Sequence, residues 1–379
     1  MATIPDVLVI GGGIIGLTSA YFLAKAGRRV EVIDRQEMGR EASWAGAGIL
    51  PPFGDPTKAV APIDALRAHS VAGFEAFSEE SAHTHGASNG YRRCGGIEVL
   101  RADAEYFLPL WDAEGIAYER LDREALKRLE PWLHPREETL YYLPGFAQVR
   151  NPWHVRALIS ACERLGVTLT AGCPLKNWRL EEGRVLGVAD HTDRMREAGA
   201  YLLANGAWAE DWLRPLGCEL GIHPVRGQIV LFNTAFCSPS RVVLDGKRYL
   251  VPRGDGRILM GSTEEPEAGF VKATTPAGEK DLEAFAFGWL PALADLGIVE
   301  KTWAGLRPVS RDGMPHIGPV PGQSNVFAAV GHGRAGIQLS LSTAHLLVAQ
   351  MTGGAVPDYA EAFRLDRPPA SHVRPAFRS

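Results

Sequence analysis

The sequence lacks any paired cysteine motif. Its few cysteines, none of which forms a C-x-x-C pair, are Cys94, Cys162, Cys173, Cys218 and Cys237. An odd and unpatterned set predicts reduced thiols instead of a disulfide framework or a zinc site. We therefore expect no metal site and a reducing compartment, with the cytoplasm as the default.

Long apolar runs and basic clusters are also missing. No apolar stretch approaches the roughly 18–20 residues that cross a bilayer. The apolar run Val7–Ile10 continues into glycines without the basic segment or the cleavage site of a signal peptide. The net charge of −4 gives no general attraction to nucleic acid or to anionic membranes. We expect neither a nucleic-acid partner nor a membrane span.

The 379 residues are enough for two domains, and the order of their patterns suggests how these are arranged. Strand–turn–helix units occur at both ends and in the middle of the chain, and β-rich segments lie between them. This order predicts a mixed α/β fold, in which a Rossmann-type dinucleotide-binding domain is interleaved with an antiparallel-sheet, substrate-binding domain. The first domain is predicted at 1–82, 150–222 and 306–365, the second at 83–149 and 223–305, and a loose proline-rich tail at 366–379. Within the second domain we expect one strand over 241–251 and one helix over 277–294.

A glycine fingerprint near the N-terminus predicts a dinucleotide site. Gly11, Gly13 and Gly16 form G-x-G-x-x-G directly after a strand and at the opening of a helix over 14–26. In this motif the first glycine permits a tight turn, the second lets backbone approach a pyrophosphate, and the third lets helix and strand pack closely. Asp34 ends the next strand, where it can accept a hydrogen bond from a ribose hydroxyl. A merely structural glycine turn is the alternative.

The stretch after Asp34 favours FAD over NAD. Arg40–Ser43 is polar and Ala45–Gly48 consists of minimal side chains, so backbone there can lie against a flat ring system or a pyrophosphate. A flexible loop is the alternative reading of the same composition.

These residues resemble the D-amino-acid oxidase and sarcosine oxidase superfamily of flavoproteins. The second half of the stretch from Val9 to Leu50 is especially similar to the glycine oxidases, flavoenzymes of bacterial thiamine-thiazole synthesis. The segments that carry the resemblance are Val9–Leu17, Asp34–Arg35, Arg40–Leu50, Pro224–Gln228, Tyr249–Arg253, Gly261–Thr263, Gly305–Pro308, Asp312–Gly318 and Gly331–Ile337.

The resemblance implies oxidation of glycine, sarcosine or a small D-amino acid by hydride transfer from Cα to flavin N5. The products would be an imine, then a 2-oxo acid and ammonia, with dioxygen as acceptor and hydrogen peroxide as its product. Relatives with covalent flavin carry a cysteine where this chain has Arg307–Ser310, so the FAD is expected to be non-covalent. Two alternatives stay open: a dehydrogenase that passes electrons to a quinone or partner subunit, and a non-catalytic flavin-holding subunit. The oligomeric state is also open, with a homo-oligomer among the possibilities.

Three side chains are the candidate catalytic residues. Arg307 is expected to anchor the substrate carboxylate, because a guanidinium offers a planar fork that matches two carboxylate oxygens. Tyr249 would add a hydroxyl to the same carboxylate, and Arg334 would be a second cation that gates entry or raises the flavin potential. A structural salt bridge for Arg307 and plain strand packing for Tyr249 are the alternatives.

The candidate cofactor residues lie mainly in the glycine turns and the small-residue stretch. They are Gly11, Gly13, Ile14, Ile15, Gly16, Asp34, Arg35, Glu41, Ala42, Ser43, Ala47, Gly48, Leu50, Gly206, Trp208, His332, Gly333, Arg334, Ala335, Gly336 and Ile337. His332 is equally compatible with a structural role. Glu264 stands where some glycine oxidases have an apolar pocket residue, and it matters to the substrate only if it faces the pocket.

Overall fold

The computed structural model describes residues 4–368 apart from 102, 135–138, 235 and 238. The strands within this part of the chain are β1 (Val7–Ile10), β2 (Val30–Ile33), β3 (Ile49–Leu50), β4 (Arg92–Arg93), β5 (Gly96–Val99), β6 (Glu119–Leu121), β7 (Leu140–Leu143), β8 (Ala147–Gln148), β9 (Thr168–Thr170), β10 (Leu175–Glu181), β11 (Arg184–Asp190), β12 (Met195–Arg196), β13 (Ala200–Leu203), β14 (His223–Asn233), β15 (Val242–Asp245), β16 (Arg248–Pro252), β17 (Arg257–Gly261), β18 (Ile298–Val309), β19 (His316–Pro319) and β20 (Val326–Val330).

The α-helices range from single turns to the long helix near the C-terminus. They are α1 (Ile14–Lys25), α2 (Ala42–Ala45), α3 (Pro62–Ala72), α4 (Phe74–Thr84), α5 (Ala104–Glu114), α6 (Arg123–Leu129), α7 (Asn151–Arg164), α8 (Ala209–Leu213), α9 (Pro276–Trp289), α10 (Leu293–Leu296) and α11 (Gly336–Thr352).

A six-stranded sheet forms the nucleotide-binding half. Its strand order is β19-β20-β13-β1-β2-β9, and all neighbours are parallel except the edge pair β19 and β20. Helix α1 packs against α7 and α11 on one face of this sheet. The residues of β1 are all buried, as expected for a parallel strand that is covered on both faces. The predicted α/β fold with a Rossmann-type sheet is confirmed.

An eight-stranded sheet forms the second half, in the order β18-β14-β17-β16-β15-β5-β7-β6. Its pairs are antiparallel except for the parallel contact between β15 and β5. Helix α9 covers one face, where Leu282, Phe285 and Trp289 join the core. Its strands come from both chain segments that were assigned to the substrate-binding domain, although the domain bounds themselves stay a prediction.

Two predictions for this half of the molecule, one of a strand and one of a helix, are wrong. The single strand expected over 241–251 is a hairpin of β15 and β16, because Gly246 turns the chain at a φ of +57°. The single helix expected over 277–294 ends at Trp289, and Pro291 separates it from the single turn of α10.

The expected loose tail begins with an anchored residue. The Arg367 guanidinium forms a buried ion pair with Asp312 at 2.7 Å and donates to the Pro315 carbonyl at 2.9 Å. The tail is therefore fixed at 367, and the expectation for 369–379 falls outside the described residues. None of the described helices combines the length and the apolar character that a bilayer crossing requires.

A buried histidine makes the stability of the nucleotide-binding half depend on pH. His154 is 1% exposed, packs against Phe74 and Phe77, and accepts at Nδ1 one long hydrogen bond of 3.3 Å from Asn89 Nδ2. Burial lowers the pKa of His154 to about 4. At a pH between about 6.5, the ordinary pKa of histidine, and this lowered value, His154 is therefore protonated in the unfolded chain and neutral in the folded chain.

We expect the melting temperature to fall as the pH is lowered from about 7 to about 5, since this stabilisation is present above the unfolded pKa and is lost below it. His154→Leu should flatten that slope in a thermal-denaturation series. His83→Leu, at an exposed position, serves as control and should leave the slope unchanged. An equal slope in the wild type and in His154→Leu would contradict the assignment.

Candidate active site

One elongated cavity runs between the two sheets. On one side it is lined by the glycine turn after β1, the end of β2, most of the segment 39–49, the turn after β13, and residues 331–334 and 336–338. On the other side it is lined by β14, β16, β18 and Ser262. It therefore opens at the carboxyl ends of the parallel strands, the place where open α/β sheets bind their ligands.

The glycine turn packs α1 against the sheet. Gly11 has a φ of +110°, and a Cβ there would lie 2.6 Å from the Ala204 carbonyl oxygen. A Cβ on Gly16 would lie 1.9 Å from the Gly11 oxygen, so this glycine provides close helix–strand packing and does not line the cavity. Gly13 lines the cavity as the N-cap of α1. The N–H of Ile14 donates to Ser43 Oγ at 2.8 Å, which joins the first turn of α1 to the start of α2.

Asp34 connects the end of β2 to the glycine turn. Its carboxylate accepts from the Gly12 N–H at 2.8 Å and from the Gln36 N–H at 3.0 Å, and the side chain lines the cavity. Burial raises the pKa of Asp34, and the two backbone hydrogen bonds oppose the shift. The bond to a ribose hydroxyl stays a prediction.

The outer end of the cavity is closed by a stack of side chains. The Arg35 guanidinium lies 3.8 Å from the ring centroid of Trp208, and Phe270 lies against the same indole. Beside them, Glu41 accepts from Gln36 Nε2 at 2.6 Å and pairs with Lys272 at 2.8 Å. The segment around 270–272, which comes from the other half of the chain, therefore covers this end.

Polar atoms along the cavity fit a bound dinucleotide. The side-chain oxygens of Asn151 and Asn205 are buried on residues that line the cavity, and neither has a hydrogen-bond partner among the described residues. Gly48 lines the same wall at a φ of +71°, where a Cβ would lie 2.1 Å from the Val149 oxygen. Orphaned acceptors beside minimal side chains are what a polar, flat cofactor needs, so these residues fit FAD.

The inner end of the cavity holds Arg307. Its Nη2 donates to Ser262 Oγ at 2.6 Å, and its Nη1 donates to the backbone oxygens of Thr263 at 3.2 Å and Arg226 at 3.4 Å. Burial lowers the pKa of Arg307, and nearby Tyr249 opposes that shift. Among the described residues, no carboxylate lies within 4.0 Å of this guanidinium, so its anionic partner is not supplied by that part of the chain.

Two glycines make room for this arrangement. A Cβ on Gly227 would lie 1.9 Å from Arg307 Nη2, so only glycine lets the guanidinium lie across β14. A Cβ on Gly261 would lie 2.7 Å from the Tyr249 hydroxyl. Tyr249 itself is 5% exposed and lines the cavity, which brings it into the same end as Arg307.

Arg334 lines the cavity near the surface. Its Nη2 donates to the Lys247 carbonyl at 2.7 Å, in the turn between β15 and β16. Burial lowers its pKa to about 10, and the positive charge of Arg307 adds to the shift. The two guanidinium groups therefore repel each other electrostatically across the inner end.

His332 lines the cavity but is bound to the fold. Its Nε2 makes a hydrogen bond of 3.1 Å with Thr343 Oγ1 in α11, and burial lowers its pKa to about 3. His332 is therefore neutral at physiological pH, and its contact with α11 gives it a structural role.

The cavity brings together the predicted site residues with few exceptions. Besides Gly16, only Leu50 and Ala335 are absent from its lining: Leu50 pairs with Ala147 between β3 and β8, and Ala335 is packed in the core. Glu264 does not line the cavity either, because its carboxylate is partly exposed and pairs with Lys247 at 2.9 Å.

Sequence reasoning missed several lining residues. Ser262 and Gly227 stand inside motifs that were recognised, but nothing in the pattern said which member would touch Arg307. Asn205 and Asn151 each follow or open a regular element, and polar residues at such ends are the signal that could have found them.

Comparisons with known proteins agree with this geometry. The family described as "FAD dependent oxidoreductase" matches residues 6–350. The chain is 37% identical to the glycine oxidase of Pseudomonas aeruginosa, over 92% of this chain and 94% of that protein. It is 31% identical to the bifunctional protein ThiO/ThiG of Synechocystis, over 99% of this chain and 57% of that protein. The crystal structure of glycine oxidase from Geobacillus kaustophilus superposes with a TM-score of 0.89 at 27% identity, covering 96% of this chain and 99% of that one.

Proposed function

We propose, from the premise that this chain belongs to the FAD dependent oxidoreductase family, that it oxidises glycine or another small amino acid and passes the electrons to dioxygen. Sarcosine and small D-amino acids belong to the same candidate set. The amino acid would lose two electrons and two protons to become an imine, which water hydrolyses to a 2-oxo acid and ammonia. Dioxygen would take up the two electrons and two protons as hydrogen peroxide.

The observation that carries the proposal is the guanidinium of Arg307. It faces the cavity, its hydrogen bonds go to neutral oxygens, and no described carboxylate neutralises it at close range. A largely desolvated cation without a counter-ion strongly favours an anionic ligand. The carboxylate of an amino acid supplies that charge in a shape that matches the guanidinium fork.

The residues around the outer and middle cavity would hold the cofactor. The N–H groups of the first turn of α1 suit a pyrophosphate, Asp34 suits a ribose hydroxyl, and the small residues of 45–48 suit a flat ring. The N-terminus of α11 would place positive dipole near the inner end. Bound FAD supplies a two-electron acceptor, and the protein contributes orientation and electrostatics.

The residues at the inner end would orient the substrate. Arg307 would hold both carboxylate oxygens, and the Tyr249 hydroxyl would donate to one of them. Arg334 would be a second cation between this end and the surface, and its charge would add positive potential to that of Arg307. Holding the acid group on one side fixes the direction of the Cα–H bond, which is the main catalytic contribution of positioning.

The relatives support an oxidase over its rivals. Several are glycine oxidases, at identities up to 37%. We also propose that the product enters thiamine-thiazole synthesis, as the glycine-oxidase resemblance implies. The free state of the five cysteines supports a cytoplasmic location, and the absence of a cysteine in Arg307–Ser310 supports non-covalent FAD. The domain bounds and a homo-oligomeric state are part of the same proposal.

The test is a substrate panel scored by loss of the yellow flavin absorbance without oxygen. Glycine, sarcosine, D-alanine and D-proline would be compared, and peroxide would then be measured in air. Bleaching with peroxide formation is the expected result. Bleaching and dye reduction without peroxide would favour a dehydrogenase, and no bleaching by any amino acid would favour a non-catalytic flavin-holding subunit.

Trp208 offers a test of where the cofactor lies. We expect Trp208→Ala to raise the dissociation constant of FAD about 10-fold, because the indole and its stacked Arg35 close the outer end. Fluorescence titration of the flavin-free chain measures this. Trp153→Ala is the matched control: Arg150 lies 4.6 Å from the ring of Trp153, which does not line the cavity. Equal losses of affinity would show that the effect is not local.

A further inference from the structure

A carboxylate lies behind Arg307, outside the cavity. Glu265 accepts from Gln228 Nε2 at 2.7 Å and from Arg226 Nε at 3.1 Å, and it makes short hydrogen bonds with Arg226 Nη2 and Thr263 Oγ1. Arg226 and Gln228 are 8% and 1% exposed, so most of this network is sealed from solvent. None of these four residues lines the cavity. The network is therefore separate from the groups that would touch substrate.

The network ties together two backbone segments. The Arg226 N–H donates to the Glu265 carbonyl at 3.2 Å, and the Glu265 N–H donates to the Arg226 carbonyl at 3.0 Å. On the other side, the Gln228 N–H donates to Thr263 Oγ1 at 2.9 Å. The start of β14 is thus fixed to the segment 262–265 at two levels, and the carboxylate of Glu265 bonds side chains from both.

The same two segments supply three of the acceptors of Arg307. Its hydrogen bonds end on the Arg226 carbonyl in β14 and on Thr263 O and Ser262 Oγ in the segment after β17. The Arg226 carbonyl receives the Glu265 N–H as well as Arg307 Nη1. A shift of either segment would therefore move the guanidinium relative to the cavity.

We infer that Glu265 is a positioning residue, which holds the three acceptors of Arg307 in place and so fixes the guanidinium in the orientation that binds a carboxylate. This inference rests on the proposed function, since it assigns a purpose to the anchor. It adds a residue that never contacts substrate. Glu265 acts through Arg226, Thr263 and their backbone oxygens.

The chemistry requires a carboxylate at this position. Both oxygens of Glu265 accept only, from two side-chain donors in Arg226, one in Gln228 and one in Thr263. A glutamine has the same shape but carries two N–H donors on one of its ends. Whichever way that amide points, it sets a donor against a donor, and the buried Arg226 loses its counter-charge. We call the hydrogen-bonded network of Glu265, Arg226, Gln228 and Thr263 the clamp. The isosteric change should therefore weaken the clamp without leaving a void.

The adjacent Glu264 provides a matched control. It is one residue away and chemically identical, yet its carboxylate is half-exposed and pairs with Lys247 on the outside of the cavity. Glu264→Gln removes one negative charge, as Glu265→Gln does, at the neighbouring position in the chain. It leaves the clamp intact.

The experiment measures acetate binding to the FAD-loaded full-length chain, from the change in flavin absorbance, together with kcat and KM for glycine. We expect Glu265→Gln to raise the acetate dissociation constant and the KM for glycine about 10- to 100-fold. The dissociation constant of FAD should stay within about twofold, because the clamp lies outside the cofactor half. Glu264→Gln should bind acetate as the wild type does or more tightly.

A second pair of variants covers the case in which Glu265→Gln does not fold. Thr263→Val removes the hydroxyl that reaches Glu265 and keeps the branched shape, whereas Thr263→Ser keeps the hydroxyl. We expect the valine variant to lose acetate affinity and the serine variant to retain it.

The outcomes separate this inference from the proposed function. If the wild type binds no small carboxylate and no amino acid bleaches its flavin, the proposed function fails. If the wild type binds acetate and Glu265→Gln or Thr263→Val binds it equally well, the positioning role is wrong and the proposed function stands. Loss of FAD affinity in step with acetate affinity would also overturn the positioning role, since it would indicate general destabilisation.

Discussion

Arg307→Ala is expected to lower kcat/KM for glycine by about 10³-fold, chiefly through KM, while leaving FAD bound. The Arg307 guanidinium donates to Ser262 Oγ and to two backbone oxygens, which are all neutral groups. Alanine would remove the guanidinium fork that pairs with the substrate carboxylate. Truncating one partner of a buried charge pair typically costs several kcal/mol, which corresponds to this loss.

The substrate's own chemistry supplies the comparison for this prediction. A small amine without a carboxylate never used the anchor, so its rate with Arg307→Ala should match its rate with the wild type. Steady-state kinetics on glycine and on such an amine measure both. Arg248→Ala is the protein control, because Arg248 lies in the same sheet and its exposed guanidinium pairs with Asp281 at 2.6 Å. Equal losses for the amine and for glycine would show that Arg307 supports the fold instead of the carboxylate.

The glycine fingerprint was predictable because its physics is local. Gly11, Gly13 and Gly16 lie within six residues. The turn that they form depends on backbone conformation and close packing within that short segment, and the motif itself indicates both. The cavity places Gly11 and Gly13 at its wall and Gly16 behind it, so the role of the third glycine as a packing residue was also foreseeable.

The direction of a side chain beyond the end of a strand was not predictable. Strand β17 ends at Gly261, and past that point the alternation of faces no longer applies. The sequence drew attention to Glu264, whereas the fold turns Glu264 toward Lys247 and its neighbour Glu265 toward the residues behind Arg307. The two glutamates have the same chemistry, and only the tertiary path of 262–265 separates them.

Contacts between distant segments account for the other misses. Arg367 lies in a proline-rich tail, and its anchor depends on Asp312, which is 55 residues away. The single strand predicted over 241–251 failed for a similar reason. One glycine between two β-rich runs is compatible with a bulge or a turn, and the pairing of β15 with β5 and of β16 with β17 decides between them.

Gly227 could be recognised as part of a family motif, but the sequence does not show why a glycine is needed there. The structure gives the reason as a distance. It lies in β14, directly beneath the Arg307 guanidinium, and an added Cβ would lie 1.9 Å from Nη2 and 2.3 Å from Cζ. An overlap of that size forces one of the two groups to move. The atoms that the added Cβ would overlap belong to the end of the flexible Arg307 side chain, so we expect the guanidinium to be displaced and β14 to keep its position.

Gly227→Ala should therefore behave as a variant in which Arg307 is present but misplaced. We expect kcat/KM for glycine to fall about 10²-fold, since a displacement of about 1 Å at a positioning group has effects of this size. FAD affinity should be retained, and the melting temperature should change little. Gly187→Ala is the matched control: its Cβ would also meet a flexible side-chain end, Met195 Cε at 2.6 Å, and neither residue lines the cavity. Kinetics on glycine and thermal denaturation of both variants decide the matter, because full activity of Gly227→Ala would mean that the guanidinium position observed here is not the one that binds the carboxylate.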